Sequence, residues 1–157
     1  MKLRALLEGV PVLDAAADLD MEITGVSYDS RTTRPGDLFV AMTGFAVDGH
    51  DFIAKAVAAG AAAVLCERVP AEEIAWVRTE NTRRALAVLG ANFYGHPADA
   101  MTMVGVTGTN GKTTTTSLLG QIMKNYTENT YVVGNIGNPY TSVALETTED
   151  SVIVAEM

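Results

Sequence analysis

A glycine-bearing turn between an apolar run and a helix is the feature that most constrains the fold. The turn TGTNGKTT (107–114) follows the apolar run MTMVGV and opens the segment TTTTSLLGQIM, which is predicted to be helical. A strand that passes through such a turn into a helix is typical of a parallel α/β sheet. Backbone N–H groups in the turn and the positive end of the helix dipole favour a bound anion such as phosphate.

The residue types in this turn are those of a phosphate-binding loop. Gly108 and Gly111 allow close backbone approach, Lys112 can reach terminal phosphates, and the Thr113 hydroxyl suits Mg²⁺. We predict that the phosphates of ATP bind to Gly108, Thr109, Asn110, Gly111, Lys112, Thr113 and Thr114, with Lys112 as the catalytic residue. A strict G-x₄-GK spacing would place glycine at 106, where the chain has Val106. The alternative is an ordinary strand–turn–helix junction rich in small residues.

The rest of the chain alternates apolar runs with helical patterns. The predicted strands are 22–28, 38–42, 62–67, 75–80, 102–107, 130–134 and 151–156. The predicted helices are a short one at Leu3–Leu7, then 52–61, 82–95 and 111–125. This alternation predicts an α/β fold with a mostly parallel sheet. Because the pattern restarts after a linker at 96–99, we predict two domains, 1–98 and 99–157.

Composition and charge exclude several classes of function. The net charge is −8 and no segment is basic, so the chain lacks the charge pattern of a nucleic-acid-binding protein. Its single cysteine, Cys66, allows no internal disulfide and no CxxC metal site, and we expect a buried structural thiol. We recognise no signal peptide and no apolar run of roughly 18 residues. We therefore expect a cytoplasmic protein with no membrane partner.

Several motifs together resemble a known family. TGTNGKTT is closely similar to the ATP-binding loop of the Mur ligases, the ATP-dependent amide-forming ligases of peptidoglycan precursor synthesis. Upstream, DSR (29–31), PGDLFVA (35–41) and DGHDFI (48–53) resemble the N-terminal uridine-nucleotide-binding domain of the MurE type, the UDP-N-acetylmuramoyl-tripeptide synthetases. This resemblance covers roughly residues 20–120. Over 132–157, the segment GNIGNPY and a strand that ends in glutamate resemble the MurD type instead.

The resemblance implies a fold and a reaction. The fold would be a small N-terminal uridine-nucleotide-binding α/β domain followed by the start of a Rossmann-like P-loop ATP-binding domain. The reaction would add an amino acid to a UDP-N-acetylmuramoyl-peptide through an acyl phosphate, with ATP and Mg²⁺ as cofactors. Since a Mur ligase has three domains, we expect this chain to be an incomplete piece without ligase activity of its own. Nothing in the sequence indicates an oligomeric state.

The resemblance also implies site residues outside the turn. The residues matched to the uridine-nucleotide substrate are Ser30, Gly44, Phe45, Asp48, Gly49 and, in the MurD-like tail, Asn135. Thr113 and Glu156 are matched to the Mg²⁺ ion. Structural alternatives stay open for some of these loops. Asp29 and Arg31 could pair to hold a loop, His50 could be a loop hydrogen-bonder, and Glu156 could be an exposed strand end.

Two other functions fit part of the sequence. A folylpolyglutamate synthetase has a similar TGTNGK loop but lacks the upstream DSR–PGDLFVA–DGHDFI domain. A non-catalytic uridine-nucleotide-binding module would keep that domain and a vestigial loop. The intact Lys112 and Thr113 argue mildly against the second alternative.

Overall fold

The computed structural model describes residues 1–44 and 47–157. The chain forms two compact units, Met1–Gly95 and His96–Met157. Within the described residues, no helix has both the length and the apolar character that crossing a membrane requires.

The N-terminal unit is a five-stranded α/β sheet. Its elements are α1 (Leu3–Leu6), β1 (Val12–Ala16), β2 (Gly25–Ser27), β3 (Asp37–Val40), a 3₁₀ turn (Gly49–Phe52), α2 (Ile53–Ala58), β4 (Ala63–Cys66), β5 (Ala75–Thr79) and α3 (Thr82–Phe93). The strand order is β1-β5-β4-β3-β2. Strands β2 to β5 pair in parallel, and β1 pairs antiparallel to β5. The predicted mostly parallel α/β fold is confirmed.

Two strands of this sheet differ from the sequence-based prediction. The sequence does not predict strand β1, because apolar and polar residues do not alternate in VLDAA, and in the structure every residue of this strand is exposed. Strand β2 is shorter than the predicted 22–28. The Ile23 N–H bonds to the Met1 carbonyl at 2.8 Å and the Thr24 N–H to Gly36, so these residues are held outside the ladder.

The central strands are continuously apolar because both faces of the sheet are covered. Leu38 and Val40 pack into a cluster with residues of α1 and α3, while Phe39 packs on the opposite face against α2. Cys66 lies on that second face, and its burial raises the pKa of the thiol to about 11. The prediction of a buried structural thiol is confirmed, since a protonated, enclosed sulfur is a poor nucleophile.

Helix ends in this unit follow local sequence signals. Gly60, at φ 95°, lies just past α2, and its N–H bonds to the Val57 carbonyl at 2.9 Å. The Ala61 N–H bonds to the Ala56 carbonyl at 3.0 Å. The two bonds together form a Schellman motif, which often ends helices at glycine. Helix α3 begins after Asn81, whose side chain accepts the Arg84 N–H at 2.8 Å.

The second unit is a three-stranded parallel sheet. Its elements are α4 (Pro97–Ala100), β6 (Thr102–Val106), α5 (Lys112–Lys124), β7 (Thr130–Gly134), a 3₁₀ turn (Tyr140–Ser142) and β8 (Val152–Glu156). The strand order β6-β8-β7 places β8 in the centre. The predicted linker at 96–99 overlaps α4 instead. Proline stands in the first turn of that helix, where its missing N–H and fixed φ are favourable.

Candidate functional site

The glycine turn lies between β6 and α5, as the sequence predicted. Gly111 occupies the position before α5 with φ 74°, a left-handed conformation that glycine adopts without strain. Gly108 has φ 147°, and a Cβ added at either glycine would meet nothing within 4 Å. The turn is thus open on the side of its glycines. Since α5 has 13 residues, its N-terminus carries a full helix dipole toward this open space.

Lys112 lies folded onto the turn. Its Nζ donates a 2.7 Å hydrogen bond to the Gly108 carbonyl, in an exposed position. The neighbouring Thr109, Asn110 and Thr114 are also exposed. The structure therefore brings the predicted phosphate-binding residues together around one open turn, with the Lys112 ammonium group against the backbone of that turn.

Thr113 and Glu156 meet at the carboxyl edge of the sheet. The Thr113 hydroxyl donates to Glu156 Oε1 at 3.1 Å, and Glu156 is only 7% exposed. The alternative of an exposed strand-end glutamate is therefore wrong. The second oxygen, Oε2, is buried and has no hydrogen-bond partner among the residues that the structure describes. A buried carboxylate oxygen without a partner is unfavourable unless a cation or donor binds there.

Asn135 lies beside Glu156 at the same sheet edge. Its backbone N–H donates to the Glu156 carbonyl at 3.1 Å, and Asn135 itself is exposed. Gly134 makes this approach possible, because a Cβ there would collide with the backbone of Glu156. The predicted residues Thr113, Asn135 and Glu156 thus share one edge of the three-stranded sheet.

The N-terminal unit holds a separate cleft of about 460 Å³. The residues that line it are Tyr28, Asp29, Ser30, Arg31, Phe39, Met42, Gly44, Val47, Gly49, Phe52, Lys55 and Arg83. Of the residues predicted for the uridine nucleotide, Ser30, Gly44 and Gly49 line this cleft. Phe45 lies outside the described residues. Aromatic rings and cationic groups together surround the space.

The DSR loop forms one wall of the cleft and is held by its own ion pair. Arg31 donates to Asp29 Oδ2 at 2.6 Å through its side chain and to Oδ1 at 2.9 Å through its backbone N–H. The Arg31 side chain and then its N–H lower the pKa of Asp29 to about 2. The alternative that these two residues pair to hold the loop is confirmed, and Ser30 between them is thereby placed at the cleft.

Asp48 is placed differently from the other predicted residues, since it does not line the cleft. Its Oδ1 accepts the N–H of His50 at 3.0 Å and contacts His50 Nδ1 at 2.6 Å, while Oδ2 accepts from Arg68 at 2.5 Å. The His50 N–H, the His50 ring and Arg68 lower the pKa of Asp48 to about 2, against the opposing effect of burial. The structure thus confirms His50 as a loop hydrogen-bonder, and Asp48 is its partner.

Sequence reasoning missed several residues that line the cleft, among them Tyr28, Phe52, Lys55 and Arg83. Lys55 lies over the Phe52 ring, with Nζ 5.1 Å from the ring centroid. Phe52 and Lys55 are three residues apart, a spacing that places two side chains on the same face of a helix. The sequence therefore contained a usable signal for this pair. Arg83 is far from the cleft loops in sequence, and only the packing of α3 brings it there.

Two family models match the chain. Residues 22–94 match "Mur ligase family, catalytic domain", and residues 106–157 match "Mur ligase middle domain". The chain belongs to the Mur ligase family. The two matched segments contain the residues of the cleft and the glycine turn, respectively.

Curated Mur ligases are similar over much of this chain. The UDP-N-acetylmuramoyl-L-alanyl-D-glutamate–2,6-diaminopimelate ligase of Listeria monocytogenes serotype 4b is 38% identical over 99% of the chain and 32% of the relative. The ligase of the same name from Syntrophomonas wolfei is 43% identical over 87% of the chain and 28% of the relative. The chain thus spans about a third of the length of these relatives. These matches confirm the MurE-type resemblance.

The Listeria alignment also takes in the C-terminal tail. Since it covers 99% of the chain, residues 132–157 are similar to a diaminopimelate ligase too. The MurD-type likeness of that segment stays a prediction.

Solved Mur ligase structures share the fold. MurF from Acinetobacter baumannii matches with a TM-score of 0.64 at 28% identity, over 99% of this chain and 35% of that chain. MurF from Thermotoga maritima, solved in complex with ADP, matches with a TM-score of 0.58 at 32% identity, over 87% of this chain and 32% of that chain. A 2,6-diaminopimelate ligase structure has a TM-score of 0.72 at 21% identity, over 100% of this chain and 36% of that one, which supports the fold alone.

Proposed function

We propose that this chain supplies the ATP-phosphate site and the uridine-nucleotide site of a peptidoglycan-forming ligase. The ligase would join an amino acid to a UDP-N-acetylmuramoyl-peptide through an acyl phosphate. The names of the curated relatives make 2,6-diaminopimelate the amino acid to test first and UDP-N-acetylmuramoyl-L-alanyl-D-glutamate the acceptor. The observation that carries the proposal is Glu156 Oε2 at the open glycine turn, beside Thr113. This oxygen is buried and has no hydrogen-bond partner in residues 1–44 and 47–157.

Magnesium fits the groups at this edge. Mg²⁺ prefers oxygen ligands and usually takes one or two from the protein, with phosphate oxygens and waters completing its shell. Glu156 and the Thr113 hydroxyl provide such oxygens. Across residues 1–44 and 47–157, no cluster of three or more acidic, histidine or cysteine side chains forms a metal cage. An ion that depends on the nucleotide for most of its ligands is consistent with that arrangement.

The chain's own residues would bind and orient the phosphates. The turn N–H groups from Gly108 to Thr113 would donate to phosphate oxygens, and the α5 dipole would favour their charge. Lys112 would exchange its bond to the Gly108 carbonyl for one to the transferred phosphoryl group, where it neutralises charge that develops in the transition state. Magnesium would supply further charge neutralisation when bound.

The cleft of the N-terminal unit fits a uridine nucleotide. Ser30 would contribute a hydroxyl, and Gly44 and Gly49 would permit close backbone approach. The cationic side chains Arg31, Lys55 and Arg83 suit a diphosphate. The rings of Tyr28 and Phe52 provide flat surfaces for a base. Asp48 would act on this site only through the loop that it holds.

A product assay tests the proposal. A longer protein that contains this chain would be incubated with UDP-N-acetylmuramoyl-L-alanyl-D-glutamate, ATP and a panel of amino acids, and products would be identified by mass spectrometry. An ATP-dependent amide product with one amino acid is expected. Binding of UDP without any amide product would favour the non-catalytic binding module. In a parallel incubation with a folate, its glutamylation would favour the synthetase alternative.

A further inference from the structure

Glu67 lies outside the cleft but contacts two of the segments that form it. We propose that Glu67 is a positioning residue that holds the cleft loop and the start of α3 in the arrangement that binds the nucleotide. The cleft loop is the segment from Met42 to Gly49, of which residues 45 and 46 lie outside the described residues. This inference rests on the proposed nucleotide site, and its test separates the two.

The base of the cleft loop is closed and tightly packed. The Gly49 N–H donates to the Met42 carbonyl at 2.8 Å, and Thr43 pairs with Asp48 in an isolated bridge. A Cβ at Gly49 would lie 2.6 Å from backbone atoms of Met42. Gly44 and Val47 are the neighbours in sequence of the paired residues Thr43 and Asp48, and both line the cleft. A shift of the base of the loop therefore moves the cleft wall.

The two residues that follow β4 hold both legs of the loop. Glu67 Oε2 accepts the Thr43 hydroxyl at 2.8 Å, while Arg68 donates to Asp48 on the other leg. The Glu67 N–H also donates to His50 Nε2 at 3.0 Å. The loop and the residue that follows it are thus attached to the end of a buried strand through three hydrogen bonds.

The same carboxylate reaches helix α3. Glu67 Oε1 accepts both the N–H and the hydroxyl of Thr82 at 2.9 Å, at the positive end of the helix dipole. The next residue, Arg83, lines the cleft and donates to the Thr43 carbonyl at 3.4 Å. The Glu67 side chain therefore sets the distance between the cleft loop and Arg83. Partial burial raises the pKa of Glu67, but the Thr82 and Thr43 hydrogen bonds lower it overall, which keeps the carboxylate charged.

The His50 ring gives this arrangement a spectroscopic signature. Nε2 accepts the Glu67 N–H, so the ring proton resides on Nδ1, which donates to Asp48 Oδ1 at 2.6 Å. These two contacts assign the Nδ1–H tautomer to the ring. The donor is the backbone N–H of Glu67, which Glu67→Ala keeps. A change in the ¹⁵N shifts of the ring in that variant would therefore report movement of the cleft loop relative to the end of β4.

The test compares variants of the 157-residue chain by calorimetry with UDP. Glu67→Ala removes the three hydrogen bonds that the carboxylate accepts. It is expected to raise the Kd about tenfold, because the cleft loop and the start of α3 are then no longer held together. Glu67→Gln is expected to recover most of the affinity, because its amide can accept from Thr82 and donate to Thr43. The matched control is Asn92→Ala, which removes side-chain bonds of 2.8 and 2.7 Å to Leu6 and Glu8 at the far end of α3. The control should lower the melting temperature and leave the Kd unchanged.

Each result has one meaning. Wild-type affinity in Glu67→Ala would overturn the positioning role, as would unchanged ¹⁵N shifts of His50 together with unchanged hydrogen exchange at the Gly49 amide. A wild-type chain that binds no UDP would contradict the proposed nucleotide site. The ¹⁵N shifts of His50 and the hydrogen exchange at the Gly49 amide need no ligand, so they would still test whether Glu67 holds the loop. If Glu67→Ala fails to fold, Thr43→Val removes only the loop bond and should weaken UDP binding by itself.

Discussion

The Thr113 hydroxyl donates a 3.1 Å hydrogen bond to Glu156 across 43 residues of sequence. This bond connects the first turn of α5 to the carboxyl end of the central strand β8. It uses one carboxylate oxygen and leaves the other buried without a partner among the described residues. The pair therefore presents an oxygen-lined position next to the glycine turn.

Replacing Glu156 by glutamine is expected to weaken ATP binding only when magnesium is present. The substitution keeps the shape of the side chain but removes the charge that would attract the cation. Calorimetry with ATP, with and without Mg²⁺, should show a loss of about tenfold or more in the magnesium condition. Equal losses in both conditions would show that Glu156 acts on the fold of the turn and not on a metal.

Lys112→Ala is expected to abolish the weak ATP binding of this chain. The lysine is the cation of the turn, and a charge-assisted contact dominates a site that is otherwise built from backbone donors. The 157-residue chain itself should show no ligase turnover. ATP affinity is measured by calorimetry, with Ser30→Ala as the control variant in the other unit. Amide product from the wild-type chain, or unchanged ATP affinity in Lys112→Ala, would contradict our assignment of the turn.

Ser30→Ala is expected to weaken UDP binding without unfolding the N-terminal unit. Loss of one hydrogen bond costs on the order of 0.5–1.5 kcal/mol, or roughly a three- to tenfold rise in Kd. The Asp29–Arg31 pair remains and should hold the loop in place. UDP titration and a thermal melt of both proteins measure the two effects. An unchanged Kd would remove Ser30 from the site.

Acid should release the cleft loop in a defined pH range. The pKa of Asp48 in the folded chain is about 2, below its ordinary value of 3.8, because the His50 N–H, the His50 ring and Arg68 stabilise the carboxylate. A lowered pKa means that this stabilisation is complete above about pH 4 and disappears as pH falls toward 2. Hydrogen exchange at the Gly49 amide should accelerate over that range. In Asp48→Asn the exchange should already be fast at neutral pH and should lose this dependence.

Two helix glycines are expected to respond in opposite directions to alanine. A Cβ at Gly90 in α3 would meet nothing within 4 Å, so Gly90→Ala should stabilise the chain by about 0.5–1 kcal/mol through helix propensity. A Cβ at Gly120 in α5 would collide with the stiff Val132 side chain, so Gly120→Ala should destabilise by roughly 1–3 kcal/mol. Chemical denaturation measures both. A stabilising Gly120→Ala would show that α5 can move away from β7.

Local sequence determined most of the helices and strands of this protein, and its glycine turn. The helix and strand around the turn, the glycine after α2 and the Asn81 cap all depend on residues within a few positions of one another, so their signals are readable along the chain. The apolar runs of β3 and β4 likewise predicted strands buried on both faces. The turn residues needed no tertiary information, because they are consecutive.

Tertiary structure alone decided which distant residues share a site. The strand order β6-β8-β7 places Glu156 beside the turn, and no local signal specifies that order. The exposed strand β1 exists only through its backbone pairing with β5. Arg83 reaches the cleft, and Glu67 joins Thr43 to Thr82, because α3 packs beside the end of β4. Such contacts depend on the geometry of packed elements, whereas a linear pattern records only the elements themselves.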